Sequence, residues 1–419
     1  MIGEKAQTDM GWKGEGPWTF MRLREPHLTA EFDRQSLPKT CELGVKDRDG
    51  RAKKAYSVSL QPSPNPDDLS QDRCIVESWE FPGGGMWTFA GVFDGHAGHD
   101  TADHTVKCFP PFLKAQLGTT LSSNSSQTGD TKMISNLISD SIRTFDENLT
   151  KDLLDLFPGG EASIDKMSDE EIKAIINDGG RNAAIVSRCM RGTTLLIALI
   201  DPHYENLWVA SLGDCVAILG NTGRINSELN VNYSVMSETH NGNQAIEADR
   251  VRLEHPGEEE AVLRNRVLGA IAVTRAIGDH LFKLPKLYTE KVFMNASSGF
   301  RIMTPLGLIL PRLKTPPYLS NIPEVKHTAL GNKTVASPLE LDQRFLILCS
   351  DGLVDLYPQY DDWVRTVGTA LSQNSDTNIA SALLRFVLGG DDEELVSRML
   401  TVEMCERWMD DTTIVILPL

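Results

Sequence analysis

The stretch Phe89-Ala90-Gly91-Val92-Phe93-Asp94-Gly95-His96-Ala97-Gly98 runs from an apolar, β-prone segment straight into a carboxylate, a glycine and an imidazole. Its first half predicts a strand, paired through the Gly83-Gly84-Gly85 turn with an earlier strand at Cys74-Ile75-Val76. Asp94 then ends a hairpin, where a carboxylate can be held rigidly at a sheet edge. Gly95 lacks the Cβ that would stop its carbonyl turning toward a cation. His96, with an ordinary pKa near neutrality, suits proton donation to an alkoxide leaving group. On its own the Asp-Gly-His trio reads as readily as a surface turn.

Two more aspartates adjoin β-like runs: Asp351 follows the apolar run 345–349, and Asp410 precedes the run 412–417. Each alone reads as a turn cap or a solvated strand end. Bringing the three together is costly, because like charges raise one another's pKa and a buried charge must be paired or coordinated. Hard Mg²⁺ or Mn²⁺ ions, bound through carboxylate, carbonyl and water oxygens, would remove that cost.

Working outward, the chain has 419 residues, with 41 Lys and Arg against 58 Asp and Glu, a formal charge of -17. That balance disfavours broad binding to nucleic acid or anionic lipid. Seven cysteines without close pairing read as reduced thiols. No apolar run approaches the ~18 residues of a membrane span. The acids in the first 36 residues argue against a secretory signal and, weakly, against an organellar presequence. The clusters Glu258-Glu259-Glu260 and Asp391-Asp392-Glu393-Glu394 read as solvated surface.

Residues 55–60 alternate as a half-buried strand, and 193–200 and 207–219 read as two strands around the Asp201-Pro202-His203 turn. Helical spacing marks 133–156, 165–176, 181–190 and 244–253, whereas Pro110-Pro111 is expected to interrupt a helix over 98–117. Strand pairs separated by helix pairs predict an α+β fold, a central sandwich of two antiparallel sheets flanked by helices. The organisation expected is an N-terminal extension over 1–50 and a single domain over 51–419, with insertions near 119–190 and 285–320. Either insertion is a docking surface or a covering loop.

The motif around Asp94 resembles the signature of the metal-dependent protein serine/threonine phosphatases, the type 2C or PPM family. Arg191-Gly192-Thr193-Thr194 with Ser211-Leu212-Gly213-Asp214 is similar to its paired strand motifs. The blocks Arg266-Val267-Leu268-Gly269, Thr274-Arg275-Ala276-Ile277-Gly278-Asp279, Leu348-Cys349-Ser350-Asp351-Gly352-Leu353 and Asp410-Asp411-Thr412-Thr413-Ile414-Val415 continue the family order. Pro316-Pro317-Tyr318 and the long inserts look most like the pyruvate-dehydrogenase-phosphatase branch. That resemblance implies a mitochondrial location while the acidic N-terminus points away from it, so cytoplasmic and mitochondrial both stay open.

The resemblance implies a PPM-type fold and a two-metal centre for Mg²⁺ or Mn²⁺. Asp94 would bridge both ions, with the Gly95 carbonyl supporting one and Asp351 and Asp410 holding the other. A water shared by two cations, its pKa lowered, would attack a phosphoserine or phosphothreonine of a protein substrate while His96 protonates the departing oxygen. Gly213-Asp214 and Gly278-Asp279 read first as turns.

Three positions depart from the family pattern. Gln71-Asp72 replaces its Glu-Asp pair, which leaves Gln71 as an uncharged, weakened metal ligand and Asp72 available through water. Asp67 stands where the phosphate-clasping arginine is expected, so the phosphate-binding group is unknown. Cys189 takes the place of a third-metal aspartate. These departures keep open a second reading, a pseudophosphatase that binds or regulates phosphoproteins without catalysis. The chain is expected to be monomeric.

Overall fold

A computed structural model describes residues 3–46, 50–62, 70–81, 85–123, 130–225, 228–331, 340–373, 377–405 and 407–419. Asp67 and the Gly83-Gly84 part of the expected turn lie outside the described residues. The decisive stretch forms the strand Met86–Phe93. Phe89 and Phe93 on one face join an aromatic core under helices, while Ala90 and Val92 on the other face enter a second core. This alternation is the period of two that a strand buried on both faces imposes.

The sandwich strands are β1 (Lys39–Lys46), β2 (Ala52–Leu60), β3 (Arg73–Glu80), β4 (Met86–Phe93), β5 (Leu195–Ile200), β6 (Asn206–Leu212), β7 (Val216–Ile225), β8 (Glu228–Val235), β9 (Glu324–Ala329), β10 (Glu340–Cys349) and β11 (Thr412–Pro418). Among the described residues, one five-stranded sheet runs β9-β6-β5-β4-β3 and one six-stranded sheet runs β8-β7-β10-β11-β2-β1. Neighbouring strands are antiparallel throughout. Ala90, Val92, Leu196, Ala198, Leu207 and Val209 of the first sheet pack on Ala217, Leu346, Leu348, Val415 and Leu417 of the second.

Helices cover both outer faces. On the five-stranded sheet lie α2 (Asp100–Ser123), α3 (Thr131–Leu154) and α4 (Arg181–Met190), through Phe109, Leu113, Ile138, Ile142 and Ile185. On the six-stranded sheet lie α1 (His27–Ser36), α5 (Tyr360–Ser372), α6 (Ile379–Val387) and α7 (Glu393–Thr401), through Phe32, Trp363, Leu383 and Leu400. Residues near 248–319 build a smaller apolar cluster around Val251, Leu268, Phe282, Ile309 and Tyr318.

The structure corrects four expectations. Helix α2 runs through Pro110 and Pro111 without a break. Burying Phe109, Leu113 and Leu117 contributes about 1.5–3 kcal/mol per side chain, which is comparable to the ~3 kcal/mol that each of the two interior prolines costs. The expected strand over 207–219 divides at Gly213, whose φ of +114° turns the chain out of β6 and into β7 of the opposite sheet. Sandwich membership begins with β1, ahead of residue 51, because β1 pairs with β2 along the sheet edge. Much of the stretch 119–190 is core rather than covering loop: Ile134, Ile138, Ile142, Leu149, Ile185 and Cys189 are all buried in it.

Candidate active site

Strand register alone gathers acids at one end of the sandwich. In β4 the side chains facing the opposite sheet are Ala90 and Val92, and Asp94 is the next in that column. Cys74 and Val76 of β3 face the same space, with Asp72 one step ahead of them. In β11 the inward column Leu417, Val415 continues through Thr413 to Asp411.

Asp94 is fixed through its backbone. Its carbonyl accepts from the Thr194 N–H at 2.9 Å and the Thr193 hydroxyl at 3.0 Å, and its N–H donates to Thr194 Oγ1 at 3.2 Å. A Cβ at Gly213 would lie 2.5 Å from Thr194 Cγ2, so the absence of a side chain there lets the β6–β7 turn close over Thr194. That close approach delivers Asp214 to Asp94. Asp351 arrives from the end of β10, where the Ser350 N–H donates to the Thr413 carbonyl at 3.1 Å and the Thr413 N–H donates to Ser350 Oγ at 2.9 Å. Carboxylate oxygens of Asp94, Asp214 and Asp351 lie within 4.8 Å of one another.

Electrostatics show how uncomfortable this gathering is without a cation. Burial, with the charge of Asp411 next, pushes Asp72 up to about 7. Burial, then Asp214 and Asp410, pushes Asp351 up to about 8. Asp94 is raised well above the usual carboxylate range by burial and by Asp72, Asp351, Asp214 and Asp410. Both Asp72 oxygens and Asp351 Oδ1 are buried without a hydrogen-bond partner. Orphaned carboxylate oxygens in an all-oxygen donor set fit a hard divalent cation such as Mg²⁺ or Mn²⁺.

Of the residues singled out from sequence, Asp94, Asp351 and Asp72 thus share one acidic space. Asp410 lies outside the close triplet: it is exposed, its Oδ1 accepts the Asp411 N–H at 2.8 Å, and its charge reaches Asp94 and Asp351 from the rim. Gly95 is buried against the Gln71 carbonyl, which a Cβ would meet at 2.5 Å. The Gln71 side chain turns elsewhere than expected of a metal ligand, its Oε1 accepting the Gly98 N–H at 2.6 Å. Cys189 sits in the apolar core, its thiol pushed up by burial and donating to the Leu149 carbonyl at 3.6 Å.

His96 Nε2 is 2.6 Å from Asp279 Oδ2. Burial by itself would depress the imidazolium, but Asp279, joined by the charges of Asp214 and Asp351, holds its pKa above the ordinary value. The pair meets on a three-stranded ladder in which Gly95–His96 pairs with Gly192–Thr193, and Gly192–Thr193 with Ile277–Gly278.

Sequence reasoning undervalued Asp214 and Asp279, read as turns, and passed over Asp355, whose pKa is raised by burial and by Asp410. The available signals were the repeated Gly-Asp at the ends of apolar runs and the four-residue spacing of Asp351 and Asp355, one helical turn apart.

The family described as Protein phosphatase 2C matches residues 69–389, well over half of the sequence. The chain belongs to the protein phosphatase 2C family. A protein phosphatase 2C homolog of Schizosaccharomyces pombe is 26% identical over 365 residues, covering 80% of this chain and 73% of its own length. The rat mitochondrial pyruvate dehydrogenase [acetyl-transferring]-phosphatase 1 is 28% identical over 340 residues. That match takes in 68% of this chain, and the chain spans 60% of the rat protein's length. Among solved structures, a serine-threonine phosphatase 2C from Toxoplasma gondii superposes with a TM-score of 0.51 at 15% identity, covering 91% of this chain and 100% of that one. The α+β sandwich is therefore the 2C phosphatase fold, and the acidic end of the sandwich is the place in it where this chain concentrates its unpartnered carboxylates.

Proposed function

We propose that this chain is a divalent-metal-dependent protein serine/threonine phosphatase. The observation that carries the reading is the convergence of Asp94, Asp214 and Asp351 within 4.8 Å, beside the buried, unpartnered Asp72 and the His96–Asp279 pair. Asp94, Asp214, Asp351 and Asp72 would hold the metal, with Asp410 at the rim. When bound, divalent cations lower the pKa of water and offset phosphoryl charge.

The protein's own groups account for the rest. Water oxygen bonds to phosphorus as the bond from phosphorus to the Ser or Thr oxygen breaks, and the proton on His96 passes to that departing oxygen; one proton of the water stays on the product phosphate and the other is released to solvent, from which His96 is reprotonated. Asp279 accepts a hydrogen bond from the imidazole and stabilises its protonated form. Gln71 holds the Gly95–Gly98 loop that carries His96.

The test is hydrolysis of a phosphothreonine peptide with and without added Mn²⁺, alongside Asp94→Asn. Metal-dependent release of phosphate that Asp94→Asn abolishes while remaining folded supports the reading. A folded wild type that binds Mn²⁺ and phosphopeptide without turnover would replace it with the non-catalytic binder.

A further inference from the structure

Asp279 is an unusual place to build a histidine partner. Gly278 and Asp279 carry φ values of +82° and +54°, two left-handed residues in succession, and the second has a Cβ. Such backbone persists where surrounding contacts over-determine it. Here the contacts come from helix α3, far off in sequence, and from the C-terminal end of α4.

Asp146 on α3 is buried, and its Oδ1 accepts the Gly278 N–H at 2.8 Å. Its Oδ2 accepts from Lys283 Nζ at 2.8 Å, and the same ammonium donates to the Ala276 carbonyl at 2.7 Å. The Lys283 and Asp146 side chains are 8% and 2% exposed, so the pair is shielded from water. One turn further along α3, Thr150 Oγ1 lies 2.8 Å from His280 Nε2. The Asp279 and His280 N–H groups donate to the Arg191 and Cys189 carbonyls at 2.8 and 2.9 Å. Residues 278 and 280 are thus tied to α3 directly and residue 276 through Lys283, and the residue between the two direct ties is the one that meets His96.

We propose that the buried Asp146–Lys283 pair is a positioning element for the reaction: it holds the Gly278-Asp279 turn so that Asp279 orients His96 toward the leaving oxygen. The proposal rests on His96 being the proton donor. It makes α3 part of the catalytic apparatus at a distance, acting through the turn rather than by touching substrate. A buried ion pair is weak evidence for stability alone, whereas its value in fixing one arrangement of backbone is a physical use for it.

Leaving-group dependence separates positioning from general damage. p-Nitrophenolate departs without protonation, while a threonine alkoxide needs it. With the full chain saturated in Mn²⁺, Lys283→Met is expected to lower kcat on a phosphothreonine peptide by about 10²-fold, the cost of misplacing a catalytic group by about an ångström. Turnover of p-nitrophenyl phosphate, peptide KM and Mn²⁺ affinity should change far less. The double variant Asp146→Asn/Lys283→Met leaves no unpaired buried charge and keeps an oxygen for the Gly278 N–H, so it should recover part of the peptide activity.

Equal losses on both substrates in folded protein, or no loss on either, would overturn the proposal. So would failure of both variants to fold, since the pair would then be a folding element. His96→Gln distinguishes the two levels. If it does not itself lose peptide activity selectively, the proton-donor reading fails. If it does, and the Lys283 variants do not, only the positioning claim fails.

Discussion

Gly192 lies directly beneath the His96–Asp279 pair: a Cβ there would stand 2.0 Å from Asp279 Oδ2 and 2.1 Å from His96 Nε2. No side chain fits at that distance, so the pair can form only over a glycine. Gly192→Ala is expected to separate the two groups and reduce kcat on a phosphothreonine peptide by about 10²-fold. Circular dichroism and melting should show a folded protein. Activity close to wild type in Gly192→Ala would mean that His96 does not work through Asp279.

Gln71 reaches the Gly98 N–H while both Asp72 oxygens stand unpartnered. Gln71→Glu adds a negative charge at the acidic end of the sandwich and can still accept from Gly98. We expect Mn²⁺ to bind about tenfold tighter in this variant, roughly 1.4 kcal/mol. Gln71→Ala, which frees the Gly98 N–H, should lower kcat with little change in metal affinity. Titration calorimetry paired with the peptide assay checks both.

Proton competition sets the pH dependence of metal binding. Asp72 and Asp351, raised to about 7 and about 8, hold protons near neutrality in the metal-free protein. A cation must displace those protons, so its affinity rises as pH rises toward and through those values. The gain in Tm on adding Mn²⁺ is therefore expected to be larger at pH 8 than at pH 6. A gain independent of pH over that window would place the metal elsewhere.

Glu247 is the buried anchor of a different charge network. Burial would raise its carboxyl, but hydrogen bonds from Arg275, Arg250 and Thr274 outweigh that and hold it well below the ordinary 4.5. Arg275 Nη2 and Thr274 Oγ1 both lie 2.6 Å from its oxygens. A depressed folded-state pKa contributes stability that is full above the ordinary value and lost as pH falls toward the folded one. Glu247→Gln should thus cost about 1.5–3 kcal/mol at pH 7, because the half-buried Arg250 and Arg275 lose the charge they hydrogen-bond. The difference from wild type should shrink below pH 4, as read by denaturant melts at several pH values.

Local pattern was enough for the sandwich. The apolar run 89–93 predicted a strand and the apolar run 345–349 another; burial of the first on both faces came from the structure. The first of these runs also placed Asp94 at a strand end. Motif order pointed to the 2C phosphatases and to Asp94, Asp351 and His96, because each of these follows or ends a run whose period is readable. The Gly-Asp pairs were visible but mute: a glycine with positive φ marks a turn and says nothing of what the turn meets.

What only the tertiary structure decided is which turns meet. Asp214 reaches Asp94 because Gly213 closes over Thr194, and Asp279 reaches His96 because Gly192 leaves space and Asp146, 133 residues earlier, holds the turn. The sequence by itself determined the strands and the carboxylates at their ends, since periodicity and residue type act over a few neighbours. The partners of those carboxylates and of His96 were set by packing between segments far apart in the chain, where a missing side chain or one buried ion pair chooses the contact.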